Sequence, residues 1–83
     1  MTMVIKVLGS GCRNCVILDR VVREAVADLG LDASVEKVED YQAIMDFSVM
    51  TTPALVIDDR VILAGRVPTP RALRTILTDA AAT

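Results

Sequence analysis

Gly9-Ser10-Gly11-Cys12-Arg13-Asn14-Cys15 joins an apolar run, Met3 to Leu8, to an amphipathic stretch that continues to Leu29. The glycines interrupt the apolar run and leave the backbone free to turn tightly ahead of Cys12. Two thiols three positions apart at a helix start can close a small disulfide ring or grip a soft metal. No other cysteine is present in the chain, so the chemistry is expected to run through this pair. A three-residue step closes too little chain to add much stability by entropy, which argues against a purely structural staple.

Working outward, Met3-Val4-Ile5-Lys6-Val7-Leu8 is largely β-branched and apolar, as expected of a strand covered on both faces. From Arg13 to Leu29, apolar residues fall at 18, 21, 22, 25, 26 and 29, opposite Asp19, Arg20, Arg23, Glu24 and Asp28. That spacing predicts a helix, and Gly30 is a natural stop. Ala33 to Val38 reads as a second, more exposed strand. Asp40 is placed to cap a short helix from Tyr41 to Phe47 that buries Ile44, Met45 and Phe47. Tyr41 and Phe47 are assigned to the core.

Pro53 forces its predecessor into extended geometry, so Val49-Met50-Thr51-Thr52 cannot prolong that helix. Met50 suits core filling or a groove around the thiols equally well. Ala54 to Ile57 is another apolar strand, Asp58-Asp59 turns the chain, and Val61 to Ala64 returns as the second arm of a hairpin. Thr69 caps a last helix with Pro70 at its first position and Leu73, Ile76, Leu77 and Ala80 on one face. The order is βαβαββα. A right-handed parallel crossover followed by an antiparallel hairpin gives an α/β fold, a mixed four-stranded sheet with helices on both faces.

Length and composition narrow the partners. With 83 residues, the chain is expected to be a single domain spanning 1–83, near the lower limit for an independent core. It is 53% hydrophobic, with only Tyr41 and Phe47 aromatic, so aliphatic side chains fill the interior. A net charge of −2 offers no basic face, and no aromatic platform exists for bases, which sets nucleic acid aside. The apolar stretches are far shorter than the roughly 20 residues that cross a bilayer, and no signal-peptide pattern opens the chain. The expected setting is cytoplasmic, where such a pair is more often catalytic or metal-binding than structural.

A strand, then Gly11-Cys12-Arg13-Asn14-Cys15 opening a helix, then Val49-Met50-Thr51-Thr52-Pro53-Ala54-Leu55-Val56-Ile57 and Gly65 after the hairpin, resembles the thioredoxin superfamily. The closest likeness is to its small bacterial and archaeal "redox-active disulfide" branch, and it spans Met3 to Leu77. The resemblance implies a thioredoxin-like fold and a thiol–disulfide oxidoreductase that exchanges electrons with protein disulfides. Cys12 would be the attacking nucleophile and Cys15 the buried resolving thiol. Pro53 would be a cis proline against the disulfide, the Thr52 backbone would pair with substrate, and Gly11 and Arg13 would flank it. No cofactor beyond the Cys12–Cys15 disulfide is implied. The partners would be protein disulfides and a thioredoxin-reductase-like electron donor.

The departures are specific. Thioredoxin has Trp where this chain has Gly11, Gly-Pro where it has Arg13-Asn14, and a buried acid where it has Lys6. Lys6 is expected to snorkel from the sheet edge. Glutaredoxins hold glutathione with a Gly-Gly plus acid stretch, and here Ala64-Gly65-Arg66-Val67-Pro68 stands instead. Two other readings of the thiols remain open: a soft-metal module for Cu(I) or Zn, and a redox or arsenical sensor that docks on another protein.

Overall fold

The computed structural model describes residues 3–82. Its elements run β1 (Met3–Leu8), α1 (Arg13–Leu29), β2 (Ala33–Val38), α2 (Tyr41–Asp46), β3 (Ala54–Ile57), β4 (Arg60–Ala64) and α3 (Pro70–Ala81). The strands form one mixed sheet of order β2-β1-β3-β4. β1 pairs with β2 in parallel, in a register that sets Ile5 against Val35. On its other side β1 runs antiparallel to β3, with Ile5 opposite Ile57, and β3 pairs antiparallel with β4.

Alternation along β1 divides the core in two. Met3, Ile5 and Val7 meet Leu18 and Val22 of α1 and Leu73 and Leu77 of α3 in the larger cluster. On the opposite face Leu8, Ala54 and Val56 meet Ile44 of α2 and Val49. Burying a Leu or Ile side chain is worth about 1.5–3 kcal/mol, so most of the stabilisation lies on the α1/α3 face. β1 is not fully covered on both faces as its composition suggests: Val4 and Lys6 are only half-buried. The reason is the length of α2, six residues, which cannot roof a whole strand.

Local signals account for the ends of the elements. Gly30 closes α1 with φ of 62°. Its N–H donates to the Ala27 carbonyl and that of Leu31 to the Val26 carbonyl, the pairing of a Schellman stop. Thr69 caps α3 by accepting the Ala72 N–H at 3.1 Å, with Pro70 at the first turn. Asp58 and Asp59, with φ of 48° and 68°, form the two-residue loop between Ile57 and Arg60, the backbone of a type I′ hairpin turn. Asp58 also accepts the Val4 N–H through Oδ1 at 2.9 Å and donates its own N–H to the Val4 carbonyl. The turn thereby extends the β1 ladder by one step.

Several sequence expectations need correction. Met45 is exposed rather than buried, Phe47 is only half-buried, and Tyr41 is exposed rather than in the core. Of the short helix, Ile44 alone is buried, because one turn and a half can present only one side chain squarely to the sheet. Lys6 does not lie on a sheet edge: β1 is internal, and the Lys6 ammonium sits 5.4 Å from the Phe47 ring centroid and 3.9 Å from Asp59 Oδ1. β4 begins at Arg60, its pairing with β3 shifts register between Leu55 and Val56, and Leu63, opposite the buried Leu55, is its one buried residue.

Candidate active site

β1 runs straight into the site. Gly9 continues the parallel ladder by donating its N–H to the Val38 carbonyl at 2.9 Å. A Cβ on Gly9 would lie 2.9 Å from Cys15 Cβ, closer still to Cys15 Sγ, and 3.8 Å from Thr52 Cβ. Glycine is thus demanded by space: the chain, Cys15 and Thr52 converge on one point with no room for a methyl group. After Ser10 and Gly11, both exposed, Cys12 takes extended geometry and starts α1.

The two cysteines are unlike. Cys12 is exposed, and it caps α1: its Sγ accepts the Cys15 N–H at 3.1 Å. Cys15 is 0% exposed, held on the inner face of α1 one turn before Leu18. Their Cα atoms lie 5.0 Å apart and the sulfurs are joined as a disulfide. One sulfur therefore faces solvent at the positive end of a helix, and the other waits beneath it. Arg13 and Asn14, between them, are exposed.

The second wall of the site comes from the chain before β3. The Thr52–Pro53 peptide bond is cis. Pro53 is fully buried, and its carbonyl accepts the Gly65 N–H at 2.8 Å, which ties this segment to the end of the hairpin. Thr52 is exposed, and its backbone N–H and C=O make no hydrogen bond among the described residues. Ahead of it, Ser48 adopts φ of 59°, the left-handed region that suits glycine.

Beside Thr52 lies a cavity of about 240 Å³ lined by Tyr41, Ile44, Met45, Val49 and Met50 together with Ser10 and Thr52. It is smaller than the roughly 300 Å³ at which small-molecule sites begin, and no charged side chain lines it. The resemblance implies Gly11, Arg13, Thr52 and Pro53 around the dithiol; in the structure Cys15 and Thr52 both approach Gly9, and Gly11 and Arg13 adjoin Cys12 along the chain. Sequence reasoning did not single out Ser10, Gly9 as the spacer under Cys15, or Tyr41 and Met45 as cavity walls. The only available signal was that Tyr41, Ile44 and Met45 share one helical face by their i, i+3, i+4 spacing. Among the described residues no group of three or more His, Cys, Asp or Glu side chains converges, and no helix is long and apolar enough to cross a membrane.

Comparison with known proteins follows the same lines. A family profile described as "Thioredoxin domain" matches residues 3–78. A thioredoxin of Methanothermobacter thermautotrophicus is 36% identical over 75 residues, covering 90% of this chain and 97% of that protein. A thioredoxin of Methanocaldococcus jannaschii is 36% identical over 66 residues, covering 80% of this chain and 76% of that one. Among solved structures, chloroplastic thioredoxin z superposes with a TM-score of 0.77 at 15% identity, covering 99% of this chain and 80% of its own, a likeness of fold. The paired sulfurs and the similarity reach the same end by separate routes: the chain belongs to the thioredoxin domain family of thiol–disulfide oxidoreductases.

Proposed function

We propose that this chain reduces protein disulfides, with Cys12 as the attacking sulfur and Cys15 as the resolving one. The observation that carries the assignment is their asymmetry: Cys12 is exposed as the helix cap, and Cys15 is 0% exposed behind it. Exchange needs a thiolate. The free N–H groups and partial positive charge at the start of α1 favour one on Cys12, by on the order of 1 kcal/mol. In the first step the Cys12 thiolate attacks one sulfur of a substrate disulfide; a new S–S bond forms, the old one breaks, and the leaving substrate thiolate takes up a proton. Cys15 then loses its proton and attacks Cys12 Sγ. The second substrate thiol departs, and the chain retains the Cys12–Cys15 disulfide. Two electrons have passed to the substrate, and a thioredoxin-reductase-like donor returns two.

Substrate lies in the groove between Gly11 and Arg13 on one side and Thr52 on the other, with the buried Pro53 supporting Thr52 from beneath. The unpaired Thr52 backbone groups support pairing with an extended substrate strand, in the manner of strand addition. No resident cofactor is needed beyond the disulfide itself. The chain works as one domain, in the cytoplasm, where reductant is available to restore the dithiol.

The test is capture of the mixed disulfide. Cys15→Ser, incubated with a disulfide-bonded protein, should accumulate a covalent adduct through Cys12 that dithiothreitol releases, and Cys12→Ser should give none. Wild-type protein should reduce insulin with a thioredoxin reductase. Absence of any adduct would refute the mechanism, and tight Cu(I) or Zn uptake without insulin turnover would select the soft-metal reading in its place.

A further inference from the structure

We propose that Met50 is a peroxide-sensitive modification site, and that its conversion to the sulfoxide weakens docking of protein disulfides while leaving the sulfur chemistry intact. The inference rests on the reading of the site given above. Met50 is 88% exposed, whereas Met3 is 8% exposed in the core and Met45 stands between them at 38%. Single exposed apolar side chains are ordinary on protein surfaces. Met50 is not single: with Met45 and the exposed Tyr41 it lines the cavity that also holds Thr52 and Ser10. Those two residues border the dithiol, one two positions before Cys12, the other across Gly9 from Cys15 Sγ. Two thioethers therefore stand on the surface that a substrate must cover.

The resting disulfide makes the reaction selective. With Cys12 and Cys15 joined, and Cys15 sealed from solvent, neither offers a thiolate to an oxidant. Met50 is then the open sulfur beside the site. Hydrogen peroxide transfers one oxygen to it: the O–O bond breaks, an S–O bond forms, the thioether sulfur loses two electrons, and water leaves. The product replaces a flexible apolar side chain by a polar one. Met50 is open to water, so the sulfoxide oxygen would be hydrated in the free chain and would have to shed that water when an apolar substrate group covers it. Desolvating one such polar group weakens binding roughly tenfold. A small disulfide that reaches Cys12 without covering the cavity is spared. Oxidant present while reductant is lacking would thus mark the oxidised chain and slow its return to work on proteins.

The full-length disulfide form is treated with hydrogen peroxide, mapped by mass spectrometry, re-reduced with dithiothreitol and assayed on insulin and on a small aromatic disulfide. Oxygen should enter Met50 before Met45 and Met45 before Met3. The KM for insulin should rise roughly tenfold with the small-disulfide rate unchanged. At a peroxide dose that oxidises Met50 of the wild type and spares Met45, Met50→Leu, whatever its own starting KM, should show no change on treatment. The proposal is overturned if Met45 or Met3 is oxidised ahead of Met50, if oxidised protein keeps its KM for insulin, or if treated Met50→Leu loses as much as wild type. Failure of untreated protein to reduce insulin would strike the underlying reading of the site instead, and is told apart by the mass map, which needs no turnover.

Discussion

The two faces of the sheet are built to different standards. On one, α1 and α3 close over Ile5, Val7, Leu55 and Ile57, and Leu73 and Leu77 reach 0% exposure. On the other, the six-residue α2 covers Leu8, Ala54 and Val56 and leaves Tyr41, Met45 and Met50 in water around a cavity. The dithiol stands at the seam, since α1 belongs to the thick face and the Thr52–Pro53 segment to the thin one. A small chain thereby concentrates its stability on one side and keeps an open surface with apolar side chains beside its exposed cysteine on the other.

The sharpest way to break this contrast is to cut side chains on each face. Leu73→Ala, in the thick core, should cost about 2–5 kcal/mol, and Tyr41→Ala, on the thin face, should stay within roughly 0.5 kcal/mol. Urea unfolding of both variants checks this, and equal losses would erase the distinction. At the seam, Gly9→Ala forces a methyl group against Cys15 and should cost about 1–3 kcal/mol by overpacking. The same measurement applies, with slower resolution of the mixed disulfide as a second sign. The smallest effect belongs to the loop after α2: Ser48→Gly relieves a left-handed residue with φ of 59° and should stabilise by roughly 0.5–1 kcal/mol. A destabilised Ser48→Gly would mean that the side chain holds that loop in a way its backbone does not reveal.

What the sequence disclosed follows the same division. The long helix, its Gly30 stop, the Asp58-Asp59 hairpin and the Thr69-Pro70 helix start are written in local chemistry, and the structure has them where that chemistry puts them. The cysteine pair was legible because both its spacing and its place after a strand are local. What was hidden depends on contacts between distant segments. Helical spacing shows that Tyr41, Ile44 and Met45 share a face, not that so short a helix leaves two of them uncovered. Gly9 carries no mark that Cys15 and Thr52 will close over it. The register shift opposite Leu55/Val56 is likewise set by the pairing of two strands, which neither strand encodes alone. Nothing local to Lys6 tells that β1 is internal to the sheet and not at its edge, because strand order is a tertiary property.

The central claim is the inequality of the two sulfurs, and alkylation reads it directly. Reduced protein, treated with limiting iodoacetamide at neutral pH and digested, should carry the label on Cys12 while Cys15 stays unmodified until the chain is unfolded. Equal labelling, or Cys15 labelled first, would contradict the account.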